Sequence, residues 1–169
     1  MEAEPVDVFD ERIVQLSVDL TETAKTHNAE GLAAIQIGVL YKAFVIKDGD
    51  EFITCINPEI LDTNLEVVHS KEGCLSFPGV NEVVRRFAEV HVKYQDETGA
   101  EHTRWLSGTP AVAFQHELDH LRGVLFIDLM GKLQKRAALK KLRKVMRRTE
   151  HQMENIQKML AHSGVPARV

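Results

Sequence analysis

The chain has 169 residues, 44% of them hydrophobic, and 21 Lys and Arg against 25 Asp and Glu, a formal charge of -4. That length buries one sizeable core and is too short for two, while two cysteines exclude a disulfide framework and a four-cysteine zinc site. The acidic start Met1-Glu2-Ala3-Glu4-Pro5 leads into no continuous apolar run, which argues against secretion or membrane insertion and sets the expectation of a reducing, cytoplasmic location.

Ile13, Leu16, Leu20 and Ala24 recur at helical spacing and predict an amphipathic helix from about Val8 to His27. The middle reads as strands at Ala43 to Lys47, Phe52 to Ile56, Leu65 to His69, Ala88 to Tyr94 and His102 to Leu106. Turn signals at Asp48-Gly49-Asp50, Asn57-Pro58 and Glu97-Thr98-Gly99 separate them. Thr109 as N-cap, Pro110 in the first helical position and Gly123 as terminator predict a helix over Pro110 to Arg122. Leu142, Val145, Thr149, Met153, Ile156 and Leu160 then trace one apolar stripe of a long last helix. From Leu129 onward eleven Lys or Arg face two Glu, a net of +9, while the remainder carries ten against twenty-three, a net of -13.

The second helix carries His116-Glu117-Leu118-Asp119-His120. Side chains four apart stand one turn above each other, so His116 and His120 share a face and can grip one metal ion. Glu117 beside them can take a proton from a metal-held water and pass it to a leaving group. Ala111, Val112, Ala113 and Phe114 upstream mark the helix as buried, and a buried imidazole pair needs partners. A third ligand has few candidates. Cys55 lies in the apolar run Phe52-Ile53-Thr54-Cys55-Ile56 and reads as a small core residue, whereas Cys74 lies in Glu72-Gly73-Cys74-Leu75-Ser76-Phe77-Pro78-Gly79, where the backbone is irregular. The fold class is α+β: antiparallel strands around a central metal-binding helix, with an N-terminal helix and a long C-terminal one. We read 1-169 as one domain and 129-169 as its basic helical tail.

Three blocks in order resemble the peptide deformylases: Gly31-Leu32-Ala33-Ala34-Ile35-Gln36-Ile37-Gly38, Glu72-Gly73-Cys74-Leu75-Ser76 and Gln115-His116-Glu117-Leu118-Asp119-His120. The likeness covers about residues 5 to 130. It implies metal binding by Cys74, His116 and His120, with water in the fourth position and Glu117 as general base and then acid. Gln36 and the Leu75 N-H are implied as donors to the oxyanion, and N-formylmethionyl nascent peptides as the substrate, losing formate. A thiolate and two neutral imidazoles leave a divalent ion one net positive charge, enough to produce hydroxide near neutral pH. The resemblance suggests ferrous iron; zinc, nickel and cobalt suit the same ligands.

The small residues Gly31 and Gly73 are expected to let a peptide lie close to the backbone. Ala29 and Glu30 depart from the family pattern, which has glycine, an apolar residue and glycine here. Glu30 is therefore expected either to turn to solvent or to alter side-chain preference. Glu72 and Arg86 are expected to form a structural pair that supports the site. His27, His69, His91, His102, His151 and His162 read as surface or satisfied histidines. For the basic tail two readings stand: a docked, solvated helix, or contact with ribosomal RNA, which the resemblance implies. The His pair by itself also fits a zinc endopeptidase, and a structural metal in a nucleic-acid-binding protein is a third reading. The residues fit a bacterial-type cytoplasmic protein or one of organellar origin.

Overall fold

The computed structural model describes residues 3-163, with side-chain surroundings up to residue 155. Ile156 and Leu160 of the expected stripe, His162 and residues 164-169 fall outside that description. Among the described residues no helix is long and apolar enough to cross a membrane.

Helix α1 spans Glu11–Thr26 and buries the expected stripe of Ile13, Leu16, Leu20 and Ala24. It starts later than Val8 because Asp10 is extended, with φ -127, and its side chain caps the Arg12 N-H. A five-stranded antiparallel sheet follows in the order β1 (Gly31–Ala33), β2 (Ala43–Asp48), β3 (Glu51–Thr63), β6 (Glu89–Gln95), β7 (Glu101–Ser107). The strands β4 (Val67–Gly73) and β5 (Asn81–Phe87) form a separate two-stranded sheet. α1 covers β1 and β2 through Leu20, Ala24, Leu32 and Val45. The opposite face of the sheet takes helix α2 (Gly108–Leu121), with Phe44 and Phe114 edge to face at 5.1 Å.

Several expected boundaries change. β1 is three residues long and shows no alternation that a sequence pattern could detect. Asn57-Pro58 is no turn: β3 runs through it for 13 residues, and the register shifts between Ile56 and Glu59. Asn57 sits there at φ 49, and its side chain clamps both Val6 N-H (2.9 Å) and Val6 O (2.8 Å), as well as Gln95. A bulge tolerates Pro58 because the missing N-H leaves no gap in the ladder. Leu65 does not begin a strand; it has φ 61, and β4 starts at Val67. Thr109 does not cap α2. The helix is entered from Ser107 through Gly108 at φ 62, and Pro110 still fits because first-turn N-H groups have no helical partner. Its end is as expected: Gly123 at φ 72 lets the Gly123 and Val124 N-H groups return to His120 O and Asp119 O.

Among the described residues, helix α3 (Lys132–Ser163) packs against the rest of the chain through its first half. Ala138 is buried, and Leu139 and Leu142 pack with Phe77, Val80 and Phe126. Val145 touches Gly79, and Lys141 pairs with Glu82. Farther along the stripe Thr149 is exposed, and Met153 is 53% exposed, so the apolar stripe extends beyond what covers it.

Candidate metal centre

α2 runs behind a cleft of about 590 Å³, with β1 on one side and β4 and the loop after it on the other. Because His116 and His120 are one turn apart, their Nε2 atoms stand 3.2 Å from each other. Cys74, carried in by the loop after β4, sets Sγ 3.2 Å from His120 Nε2. All three donor atoms lie within 4.8 Å of one another. Tetrahedral Zn-N bonds near 2.05 Å imply a ligand separation of roughly 3.3 Å, so the set fits a single ion.

The charges point the same way. Burial raises the Cys74 thiol, but hydrogen bonds from His116 and His120 outweigh it and hold it at about 5, on the thiolate side of neutral. Burial disfavours charge on His116, yet Cys74 and Glu72 prevail and lift the imidazole to about 10. A thiolate and two imidazoles sharing protons at one spot are a donor set on which a cation can take the protons' place. Glu117 is 4% exposed, and burial, opposed by the two imidazoles, raises its carboxyl to about 7. Its Oε2 is buried with no hydrogen-bond partner among the described residues. A buried acid with a free oxygen, poised near neutrality beside three metal-binding donors, can accept and return a proton.

A buried ion-pair chain supports these groups. His116 Nδ1 meets Glu72 Oε2 at 2.8 Å, and Arg86 grips both oxygens of Glu72 at 2.7 and 2.9 Å. The expected Glu72-Arg86 pair is therefore present, with both side chains 5% exposed. Sequence reasoning missed its next link: Arg86 also holds Asp119 Oδ2 at 2.6 Å. Asp119 lies three residues after His116, so the chain leaves α2, crosses β4 and β5 and returns one turn on. Gln115 was missed as well. Its amide binds both N-H and O of Phe87, next to Arg86, and fastens β5 to α2. Its position directly before His116 was the available signal.

Gln36 lies in the 3-10 turn Ala34–Ile37. Ala33 N-H donates to its Oε1 at 2.9 Å, leaving Nε2 to face Ser76 Oγ at 3.2 Å and Cys74 Sγ at 3.5 Å. Leu75 is 43% exposed at the cleft, and its N-H makes no hydrogen bond within the described residues. The two glycines also make room for neighbouring side chains. The space beside Gly31 belongs to Glu117, whose Oε1 lies 2.7 Å from where a Cβ would stand, and the space beside Gly73 is filled by the Asn81 side chain. Both line the cleft, but each admits a neighbouring side chain of the same protein. Glu30 lines the cleft with an exposed side chain. Cys55 is buried in the core as expected, and His102 is satisfied by Asp96 at 2.7 Å.

An α+β fold holding a thiolate, two imidazoles and a buried acid at the floor of a cleft defines a metal-dependent hydrolase. The model of the polypeptide deformylase family matches residues 1–136. The peptide deformylase of Thermotoga neapolitana is 42% identical over 139 residues, covering 82% of this chain and 84% of that one. That of Aquifex aeolicus is 39% identical over 150 residues, covering 85% and 88%. Among solved structures, a peptide deformylase from Legionella pneumophila superposes with a TM-score of 0.83 at 37% identity, covering 89% of this chain and 90% of that one. Arabidopsis thaliana peptide deformylase 1B in complex with an inhibitor gives 0.80 at 32% identity, covering 90% and 87%. The chain belongs to the polypeptide deformylase family, metal-dependent enzymes that deformylate nascent peptides.

Proposed function

We propose that this chain hydrolyses the formamide at the amino terminus of N-formylmethionyl nascent peptides, releasing formate and a free amine. The observation that carries the reading is the meeting of Cys74 Sγ and the His116 and His120 Nε2 atoms beside the unpartnered buried oxygen of Glu117. Cys74, His116 and His120 hold the metal, which we take to be Fe2+, with zinc, nickel or cobalt able to replace it. When bound, it supplies an acidified water and polarises the formyl oxygen.

Glu117 takes the proton of the attacking water, holds it while the water oxygen bonds to the formyl carbon, and delivers it to nitrogen as the C-N bond breaks. Its carboxyl near 7 suits both halves of that task. Gln36 Nε2 and the Leu75 N-H receive the charge that develops on the formyl oxygen, and the bond from Ala33 keeps the Gln36 amide aimed beforehand. Glu72 orients His116 through Nδ1, and Arg86 and Asp119 orient Glu72. The peptide lies along β1, an edge strand whose outer side has no strand neighbour among the described residues. The exposed Lys140, Arg143, Lys144, Arg147 and Arg148 of α3 meet ribosomal RNA, and the oxidisable thiolate ligand suits a reducing cytoplasm.

Anaerobically purified protein, assayed for formate release from a formyl-methionyl peptide, tests the reaction; absence of formate overturns it. Cys74→Ala should lose both metal and activity, whereas Glu117→Ala should keep metal and lose activity. Ribosome binding that is insensitive to salt would remove the RNA contact.

A further inference from the structure

We propose that Glu30 sets a charge preference downstream of the scissile bond, favouring peptides with Lys or Arg at the second or third residue. This rests on the deformylase reading of the cleft.

Glu30 lines the cleft, and its side chain is exposed. Its carbonyl accepts the Lys47 N-H at 2.8 Å, so the backbone is held in line with β1 just before Gly31 pairs with Ile46. Alternation along the strand sets its direction. Gly31 abuts Glu117 on the α2 side, while Leu32 is buried among the α1 residues, so Glu30 leans to the side of Leu32, away from the reacting centre. It flanks the path along β1 and does not touch the formyl group.

Glu30 forms no ion pair among the described residues. The cleft's other acids are buried: Glu72 is paired with Arg86, and Glu117 lies at the floor. Lys71, the one Lys or Arg lining the cleft among the described residues, stands on β4, across the cleft from β1 and next in sequence to buried Glu72, so alternation turns it away from the Glu72 face. Lys47 stands opposite Glu30 across the β1-β2 ladder but forms no ion pair with it, so a carboxylate without an ion-pair partner among the described residues is left on the β1 side. A lysine or arginine passing there gains a screened, exposed attraction, and an acidic residue meets repulsion.

The test uses the full chain, metal-loaded, with formyl-Met peptides carrying Lys, Gln or Glu at the second or third residue. In the unsubstituted protein kcat/KM for Lys should exceed that for Glu by roughly threefold to fivefold at low salt, mainly through KM, and the ratio should shrink near 0.3 M salt. Glu30→Gln should bring the ratio close to one, and Glu30→Lys should invert it. A ratio that Glu30→Gln leaves unchanged, with the Gln peptide still deformylated, overturns this inference alone. Failure to deformylate the Gln peptide overturns it together with the underlying reading.

Discussion

The carboxylate of Glu117 occupies the place where any side chain at position 31 would begin, with Oε1 2.7 Å and Cγ 2.9 Å from a Cβ built on Gly31. β1 and α2 therefore meet through a glycine and the acid that we assign as the proton carrier. Gly31 has no positive φ, so the backbone itself would accept alanine there. The conflict is with the Glu117 side chain alone. Gly31→Ala should displace the carboxylate and lower kcat by roughly 100-fold, while the melting temperature moves little. Formate-release kinetics and a thermal melt of the same sample check this; a melting point that falls in step with activity would point to unfolding instead.

Glu72 sits between an imidazole and a guanidinium, with Arg86 still tied to Asp119. Glu72→Gln removes the charge that both neighbours face in a buried setting. Metal affinity should fall about 10-fold to 100-fold, read by competition with a chelator. Stability should fall by about 3 kcal/mol, the usual scale for unpairing a buried charge. Unchanged metal retention would mean that the chain of ion pairs holds the fold and not the ligand.

Asn57 ties the amino-terminal segment to β3 by hydrogen bonds to Val6 N-H and O, and it adopts φ 49 in the bulge. Asn57→Ala loses these bonds and strains the left-handed backbone. Urea unfolding should show a loss of about 2 to 3 kcal/mol. Proteolysis should cut first near Val6.

Asp96 organises the turn between β6 and β7, accepting from Thr98 N-H, Thr98 Oγ1 and Ala100 N-H at 2.9, 2.6 and 3.1 Å. Burial raises its carboxyl, but the hydrogen bonds from Thr98, His102 and Ala100 together outweigh it and hold it at about 2, below its ordinary 3.8. The folded value is the lower one, so the contribution is present above the ordinary value and is lost as pH falls through about 2. Asp96→Asn should therefore cost stability near pH 7 and measurably less at about pH 3. Equal losses at both would exclude the charge as the source.

Short-range pattern was enough for the parts of the fold that depend on neighbours along the chain. The spacing of Ile13, Leu16, Leu20 and Ala24 identified the buried face of α1, and Gly123 identified the end of α2. Helical periodicity likewise put His116 and His120 on one face. β1 escaped because three residues carry no period, and the run through Asn57-Pro58 escaped because a bulge has the same local chemistry as a turn.

What the sequence by itself determined is the donor inventory: a histidine pair with an acid between them and one cysteine held in an irregular loop. What only the tertiary structure decided is their meeting. Cys74 reaches His120 across 46 residues, Gln36 reaches Cys74 across 38, and Arg86 closes on Asp119 across 33. No local rule specifies such distances, because they follow from how the sheet and the β4-β5 hairpin pack around α2. The same packing gave Gly31 its purpose, to leave room for Glu117.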